Sequence, residues 1–254
     1  MKIGLALSGG GARGIAHIGV LKALDGMGIN ISLLSGTSAG SIVGALYAYG
    51  YSPDKIFDII KNVSIFRSVR PAWTWSGLLT MDGLKELLFH ALPENDFKAL
   101  KIPLRIAATE ISKGEVHYFD QGELVPAIVS SCSIPAVFNP VHYNGGTFVD
   151  GGLCDNLPSR AIVGSCDFVI GSHCNPISNN FDARNLKVVI ERSLPMAING
   201  NTRQSKALCN VVIEPKKLDQ FSSFEMARAK EIFDIGYEFT RENFTRKDFE
   251  LQPV

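Results

Sequence analysis

Three short glycine-rich segments of this sequence carry residue types that can perform acyl transfer. They are residues 9–14 (GGGARG), 36–40 (GTSAG) and 150–152 (DGG). Each segment follows an apolar run that predicts a β-strand. Together they can supply a nucleophilic hydroxyl, a carboxylate base and backbone amides for an oxyanion, which are the groups that ester hydrolysis uses.

The second segment surrounds Ser38 with the spacing Gly-x-Ser-x-Gly. A serine at a sharp strand-to-helix turn presents its hydroxyl above the sheet edge, and such a turn needs small neighbours. Gly36 and Gly40 provide that space, and the apolar helix predicted after Ser38 directs its positive end at developing negative charge. We therefore predict that Ser38 is a nucleophile. The alternative is a structural turn in which this serine has no chemical role.

The first segment is predicted to form an oxyanion hole. The consecutive glycines Gly9, Gly10 and Gly11, followed by Ala12, can direct several amide N–H groups at one point without obstruction by side chains. Arg13 is notable because the macrodipole disfavours a cation at a helix N-terminus. This arginine can support the loop, bind an anionic group of the substrate or add to oxyanion stabilisation.

The same loop also fits a rival function. Gly9, Gly11 and Gly14 have the Gly-x-Gly-x-x-Gly spacing of dinucleotide-binding proteins, which also need an acidic residue near the end of the next strand. Here that strand ends in Ser35, Gly36 and Thr37, none of which is acidic. Nucleotide binding is therefore the weaker alternative.

The third segment places Asp150 at the end of a predicted strand. Gly151 and Gly152 leave the space near its carboxylate open. A partly desolvated carboxylate beside a serine hydroxyl can act as its general base without a histidine. His173 lies downstream of Asp150 and also leaves a Ser38–Asp150–His173 triad open, because this chain order occurs in α/β-hydrolases. The other interpretation of His173 is a hydrogen-bonded core residue.

Hydrophobic periodicity predicts the elements that must position these residues. Strands are predicted at residues 2–8, 31–35, 104–110, 115–119, 141–143, 147–149, 168–173 and 211–213, and helices at 15–26, 38–49, 81–92, 124–132, 188–208 and 224–240. A further helix is predicted after Ser52, with Pro53 at its first position. The alternation of strands and helices at the start predicts an α/β fold with a mainly parallel central sheet covered on both faces. One domain over residues 1–254 is the simplest organisation.

Composition excludes several classes of function. The formal net charge is zero and there is no basic run, so no partner role for nucleic acid is expected. The five cysteines lack a Cys-x-x-Cys pair and the five histidines lack ligand spacing, so neither a metal nor another cofactor is predicted.

No apolar run is long enough to cross a bilayer, and the N-terminus lacks a signal-peptide pattern. We expect a cytoplasmic protein that can contact the inner face of the membrane peripherally. Residues 64–93 contain both tryptophans and form either a packed loop or an apolar rim that admits a lipid chain or contacts a bilayer.

Taken together, the three segments resemble the patatin-like phospholipase family, and the small bacterial members in particular. The resemblance covers residues 5–158, and residues 131–135 (SCSIP) are similar to a further family block that ends in proline and packs near the site. It implies a three-layer α/β/α fold, a Ser38–Asp150 dyad and metal-free hydrolysis of lipid acyl esters by an enzyme of phospholipase A, lysophospholipase or esterase type. A non-catalytic lipid-binding protein on the same scaffold is the remaining alternative.

Overall fold

A computed structural model describes residues 1–61, 71–74, 77–79, 81–177 and 186–251 of the chain. The predicted rim at residues 64–93 includes residues 64–70, 75, 76 and 80, which lie outside the described residues. The prediction of a lid or membrane contact there falls partly on these residues and stays a prediction.

The strands of the described part alternate with helices from the N-terminus. They are β1 (Ile3–Leu7), β2 (Ile31–Thr37), β3 (Pro71–Thr74), β4 (Gly77–Leu79), β5 (Leu104–Glu110), β6 (Glu115–Phe119), β7 (Val141–Tyr143), β8 (Gly146–Asp150), β9 (Phe168–Ser172) and β10 (Val211–Ile213).

The α-helices of the same ranges connect or cover these strands. They are α1 (Ala16–Gly26), α2 (Ala39–Tyr49), α3 (Pro53–Lys61), α4 (Asp82–Ala91), α5 (Leu124–Cys132), α6 (Gly152–Asp155), α7 (Leu186–Ala207) and α8 (Ala229–Asn243). Within those ranges no helix combines the length and the apolar character that a bilayer crossing demands.

The main sheet has the strand order β10-β9-β1-β2-β5-β8-β7, with β6 paired to β5 outside this path. The five strands β10, β9, β1, β2 and β5 are parallel, whereas β6, β7 and β8 join through antiparallel pairs. Parallel strands need crossover connections, and the helices after β1 and β2 supply them. The carboxyl ends of β1 and β2 therefore lie at the same end of the sheet, where the first two glycine segments begin.

Two hydrophobic cores lie on opposite faces of the sheet. Leu5 and Leu7 of β1 belong to the larger core, which contains apolar residues of α1, α2, α5 and α8. Ala6 points the other way, into a smaller core that includes Leu157 and Ile162. This alternation along one strand follows from the two-residue period of β-structure. It confirms the predicted fold class, a mainly parallel sheet between layers of helix.

Three local differences from the predicted elements are present, and the first two have a physical cause. β2 continues to Thr37 because Thr37 pairs with Ala107 of β5, although glycine and polar residues end the apolar pattern earlier. The terminal helix begins at Ala229 rather than at residue 224, because residues 222–225 form a polar turn in which the Ser222 amide donates to the Glu225 carboxylate. A hairpin, β3–β4, stands within residues 64–93 where no strand is predicted.

Candidate active site

Ser38 occupies a strained turn between β2 and α2. Its backbone has φ 52° and ψ −121°, a conformation that non-glycine residues rarely adopt. The turn is closely packed, since a β-carbon at Gly40 would lie 2.3 Å from the carbonyl oxygen of Leu7, and Gly36 lies against the backbone of Gly40. Such strain persists only where the surroundings hold it, and it is typical of functional sites.

The sheet register brings Asp150 to this turn. β2 pairs with the first half of β5, and its last residue, Thr37, lies opposite Ala107. β8 pairs with the second half of β5, and its last residue, Asp150, lies opposite Ala108. The residue before Ser38 and the predicted base are therefore held opposite two consecutive residues of one strand.

The two predicted catalytic side chains are close neighbours. The Ser38 hydroxyl lies near enough to the Asp150 carboxylate to lower the pKa of Asp150. Both residues are buried but not sealed, with exposed fractions of 7% for Ser38 and 8% for Asp150. A hydroxyl beside a buried carboxylate is the arrangement that general-base activation of a nucleophile uses.

Burial dominates the electrostatics of Asp150. Desolvation raises its pKa from 3.8 to about 6, against the Gly152 amide and the nearby Ser38 hydroxyl, which both lower it. The Gly152 amide donates to Oδ1 at 2.8 Å, which gives the second glycine of the segment a definite contact. A carboxylate with a pKa near 6 is mostly ionised at neutral pH and yet is a stronger proton acceptor than an exposed aspartate.

The first glycine segment, residues 9–14, lies against the turn that contains Ser38. A β-carbon at Gly9 would lie 3.3 Å from that of Ser38. Gly11 has φ 58°, and a β-carbon there would lie 2.2 Å from the carbonyl oxygen of Ser223, so only glycine fits without a backbone shift. The loop that is predicted to bind the oxyanion is therefore adjacent to the hydroxyl that would attack.

The four predicted oxyanion donors are not equivalent. The Gly9 amide donates to the carbonyl of Asn156 at 3.0 Å, and the Ala12 amide donates to that of Ser223 at 2.8 Å. In the part of the chain that the structure describes, the amides of Gly10 and Gly11 have no acceptor. Gly10 and Gly11 therefore have N–H groups available to an oxyanion, whereas Gly9 and Ala12 anchor the two ends of the loop.

Arg13 has a supporting contact. Its Nε donates to the carbonyl oxygen of Phe221 at 2.7 Å, which ties the start of the first helical turn to a segment more than 200 residues away. Of the three roles that the sequence leaves open for this arginine, this contact supports the role in holding the loop.

His173 pairs with a carboxylate other than Asp150. Its Nδ1 lies 2.7 Å from Oε1 of Glu214, and Nζ of Lys206 lies 2.5 Å from the same oxygen. Burial lowers the pKa of His173. Across the described residues, no hydrogen bond or ion pair joins this imidazole to Ser38 or to Asp150. The geometry therefore gives the triad alternative no supporting contact.

Two neighbours of the dyad were missed by reasoning from single motifs. The Cys132 thiol is buried, and its Sγ lies 3.9 Å from Oγ of Ser41. Burial raises the pKa of this thiol, so it stays protonated and does not compete as a nucleophile. Ser131 contacts the backbone of Ser38. The one sequence signal for both residues is the similarity of residues 131–135 to a family block.

Among the described residues, no group of three or more histidine, cysteine, aspartate or glutamate side chains is arranged to hold a metal ion. The five cysteines carry free thiols.

Comparison with known proteins gives the context of this site. The lysophospholipase NTE1 of Meyerozyma guilliermondii is 28% identical over 275 residues, which cover 96% of this chain and 19% of that protein. An uncharacterized NTE family protein of Mycobacterium bovis is 33% identical over 178 residues, 68% of this chain and 49% of the relative. The chain thus spans about a fifth of the length of its fungal relatives and about half that of the mycobacterial ones.

A solved structure and a family model agree with these relatives. The crystal structure of VipD from Legionella pneumophila matches with a TM-score of 0.51 at 17% identity, over 94% of this chain and 66% of that one, which is a likeness in fold alone. The sequence model of the patatin-like phospholipases matches residues 5–162, more than half of the chain and a range that includes both Ser38 and Asp150. The resemblance predicted from the three glycine segments is confirmed, and the chain belongs to the patatin-like phospholipase family.

Proposed function

We propose that this chain is a serine hydrolase that cleaves carboxylic ester bonds of lipids through a Ser38–Asp150 dyad. The observation that carries the proposal is the sheet register that places Ser38 beside Asp150, a buried carboxylate whose pKa is raised to about 6. Family membership and the lysophospholipase relatives support an ester of a phospholipid or lysophospholipid as the substrate class.

In the acylation step, Oγ of Ser38 attacks the ester carbonyl carbon and Asp150 accepts the hydroxyl proton. The carbonyl oxygen becomes an oxyanion and is held by the amides of Gly10 and Gly11. Removal of a single donor of this kind costs about 3–4 kcal/mol of transition-state stabilisation in other hydrolases. Collapse of the intermediate breaks the bond to the alcohol, which takes the proton from Asp150 and leaves an acyl ester on Ser38.

In the deacylation step, Asp150 accepts a proton from water as the water oxygen attacks the acyl carbon. The same amides hold the second oxyanion. When this intermediate collapses, Ser38 recovers its proton from Asp150 and the fatty acid leaves. The cycle uses neither a histidine nor a metal, which agrees with the pairing of His173 with Glu214 rather than with Asp150.

A fluorophosphonate probe tests the nucleophile. We expect covalent labelling at Ser38. We also expect hydrolysis of p-nitrophenyl esters and lysophospholipids in a panel of graded acyl chain length. Ser38→Ala should lose both activities while its circular dichroism spectrum is unchanged. Folded wild-type protein that takes no label would instead favour the lipid-binding alternative. A thermal shift with NAD or FAD would favour the nucleotide alternative.

A further inference from the structure

Ser131 lies at the end of α5 and links the strained turn at Ser38 to strand β5. Its side chain is completely buried. Its Oγ accepts a hydrogen bond from the Ser38 amide at 2.8 Å, and the same hydroxyl donates to the carbonyl oxygen of Ala107 at 2.6 Å. The sequence separation between Ser131 and Ser38 is 93 residues, so this contact depends on the tertiary fold.

The direction of these two bonds is fixed by chemistry. The carbonyl of Ala107 can only accept, so the single hydroxyl proton of Ser131 must point toward it. The lone pairs of Oγ are then left for the Ser38 N–H. A buried hydroxyl that donates and accepts at once is polarised by each bond, which strengthens the other.

This bridge holds one of the two peptide planes whose relative orientation is set by φ and ψ of Ser38. The plane before Ser38 carries the amide that Ser131 binds. The plane after Ser38 carries the carbonyl that accepts from the Ser41 amide and from the Ser41 hydroxyl, at 2.9 and 2.6 Å. The φ of 52° at Ser38 is therefore held from both sides, by α2 on one side and by Ser131 on the other.

The same end of α5 also holds the base. The Asp150 amide donates to the carbonyl of Ser133 at 2.8 Å, and the Gly151 amide approaches the carbonyl of Ser131 at 3.4 Å. One short segment thus contacts the backbone of both dyad residues.

From these contacts we infer that Ser131 is a positioning residue, whose hydroxyl sets the nucleophile turn so that Ser38 is aligned with Asp150 and with the oxyanion amides. The inference rests on the proposed dyad. Ser131 does not reach the reacting atoms itself, and its effect is transmitted through the Ser38 amide.

Ser130 offers a matched control. It is the preceding residue of α5 and is also completely buried, but its hydroxyl donates to the carbonyl of Pro126 in its own helix at 2.8 Å. Ser130→Ala therefore removes a buried hydroxyl from the same helix without touching Ser38 or Asp150. Comparing this variant with Ser131→Ala separates alignment of the nucleophile from general loss of packing.

The experiment measures kcat and KM per active site on a soluble ester, with active sites counted by fluorophosphonate labelling. For Ser131→Ala we expect kcat to fall about 10- to 100-fold, or about 1.4–2.7 kcal/mol of barrier, because small displacements of a reacting group cost rates of this size. KM should change less than about threefold. Ser130→Ala should keep kcat per site within about twofold of wild type.

The outcomes separate the inference from the function. If Ser131→Ala keeps kcat per site within about twofold of Ser130→Ala, the positioning role is wrong while the dyad stands. Wild-type protein that neither takes the probe nor hydrolyses any ester overturns the dyad and the inference together.

A second pair of variants keeps the test decisive if Ser131→Ala does not fold. Ser131→Cys and Ser130→Cys retain the side-chain shape but replace the hydroxyl by a weaker donor and acceptor. We expect kcat per site to fall at least about fivefold for Ser131→Cys alone. Full wild-type kcat in Ser131→Cys would show that the hydroxyl is not needed.

Discussion

Ionisation of the buried Asp150 can be tested by comparing the wild-type chain with Asp150→Asn across pH. The exposed fraction of Asp150 is 8%, and burial raises its pKa from 3.8 to about 6. Each tenfold change in an acid dissociation constant corresponds to about 1.4 kcal/mol of free energy. Burial in the folded chain therefore disfavours the ionised form of Asp150 by about 3 kcal/mol relative to the unfolded chain. Asparagine keeps an oxygen that can accept from the Gly152 amide but carries no charge.

The sign of the stability effect follows from proton linkage. The folded state holds the Asp150 proton more tightly than the unfolded state, so the contribution of this group to stability is present below pH 4 and is lost as the pH rises through 6. The free energy of unfolding of Asp150→Asn should therefore exceed that of wild type by about 3 kcal/mol at pH 8, and the two values should be nearly equal at pH 4. Other titrating groups act on both proteins and cancel in the difference.

The rate should follow the same ionisation in the opposite sense. Because only the carboxylate can accept the Ser38 proton, kcat/KM should rise with pH and level off above an acid limb centred near pH 6. At pH 5 about a tenth of the plateau rate should remain, since about a tenth of Asp150 is then ionised. Asp150→Asn should lose about 10²- to 10⁴-fold in kcat/KM.

Two assays measure these quantities. Initial rates on a short-chain p-nitrophenyl ester between pH 4.5 and 8.5 give the acid limb, and urea unfolding at pH 4.5, 6 and 8 gives the free energies. Ser38→Ala is the control, because it should lose activity while its stability still falls as the pH rises, with a midpoint slightly above that of wild type since the hydroxyl that lowers the pKa of Asp150 is gone. An acid limb below pH 4.5, or a stability difference between wild type and Asp150→Asn that does not change with pH, would refute the buried-base reasoning.

Three further predictions concern the neighbouring residues. Gly11→Ala should lower the free energy of unfolding by about 1–3 kcal/mol in urea melts and also lower kcat, because φ is 58° there and the new β-carbon meets the Ser223 carbonyl; unchanged values would contradict the loop geometry. His173→Ala should keep kcat per labelled site within about tenfold of wild type, since the imidazole binds Glu214; loss as complete as in Ser38→Ala would revive the triad. His17 is buried and its pKa is lowered from 6.5 to about 4, so the chain should lose about 3 kcal/mol of stability as the pH falls across that interval. His17→Gln should flatten this loss, and an unchanged pH dependence would show that another group causes it.

The sequence determined the features that depend on neighbouring residues. Apolar runs fix the strands, and small residues beside Ser38 permit the turn that its backbone adopts. Consecutive glycines open the loop at residues 9–11, and Asp150 ends a strand that a glycine turn connects to β7. These features could be predicted because propensity, turn chemistry and hydrophobic period act within a few residues.

The tertiary structure decided how hydrogen bonds are shared between distant segments. The amides of Gly9 and Ala12 are taken by carbonyls of residues 156 and 223, which leaves those of Gly10 and Gly11 available. His173 pairs with Glu214 of a neighbouring segment, and Ser131 reaches Ser38 across 93 residues. The pKa of Asp150 likewise depends on packing that buries it. Each donor and acceptor has many possible partners along the chain, and only the folded arrangement of strands selects among them.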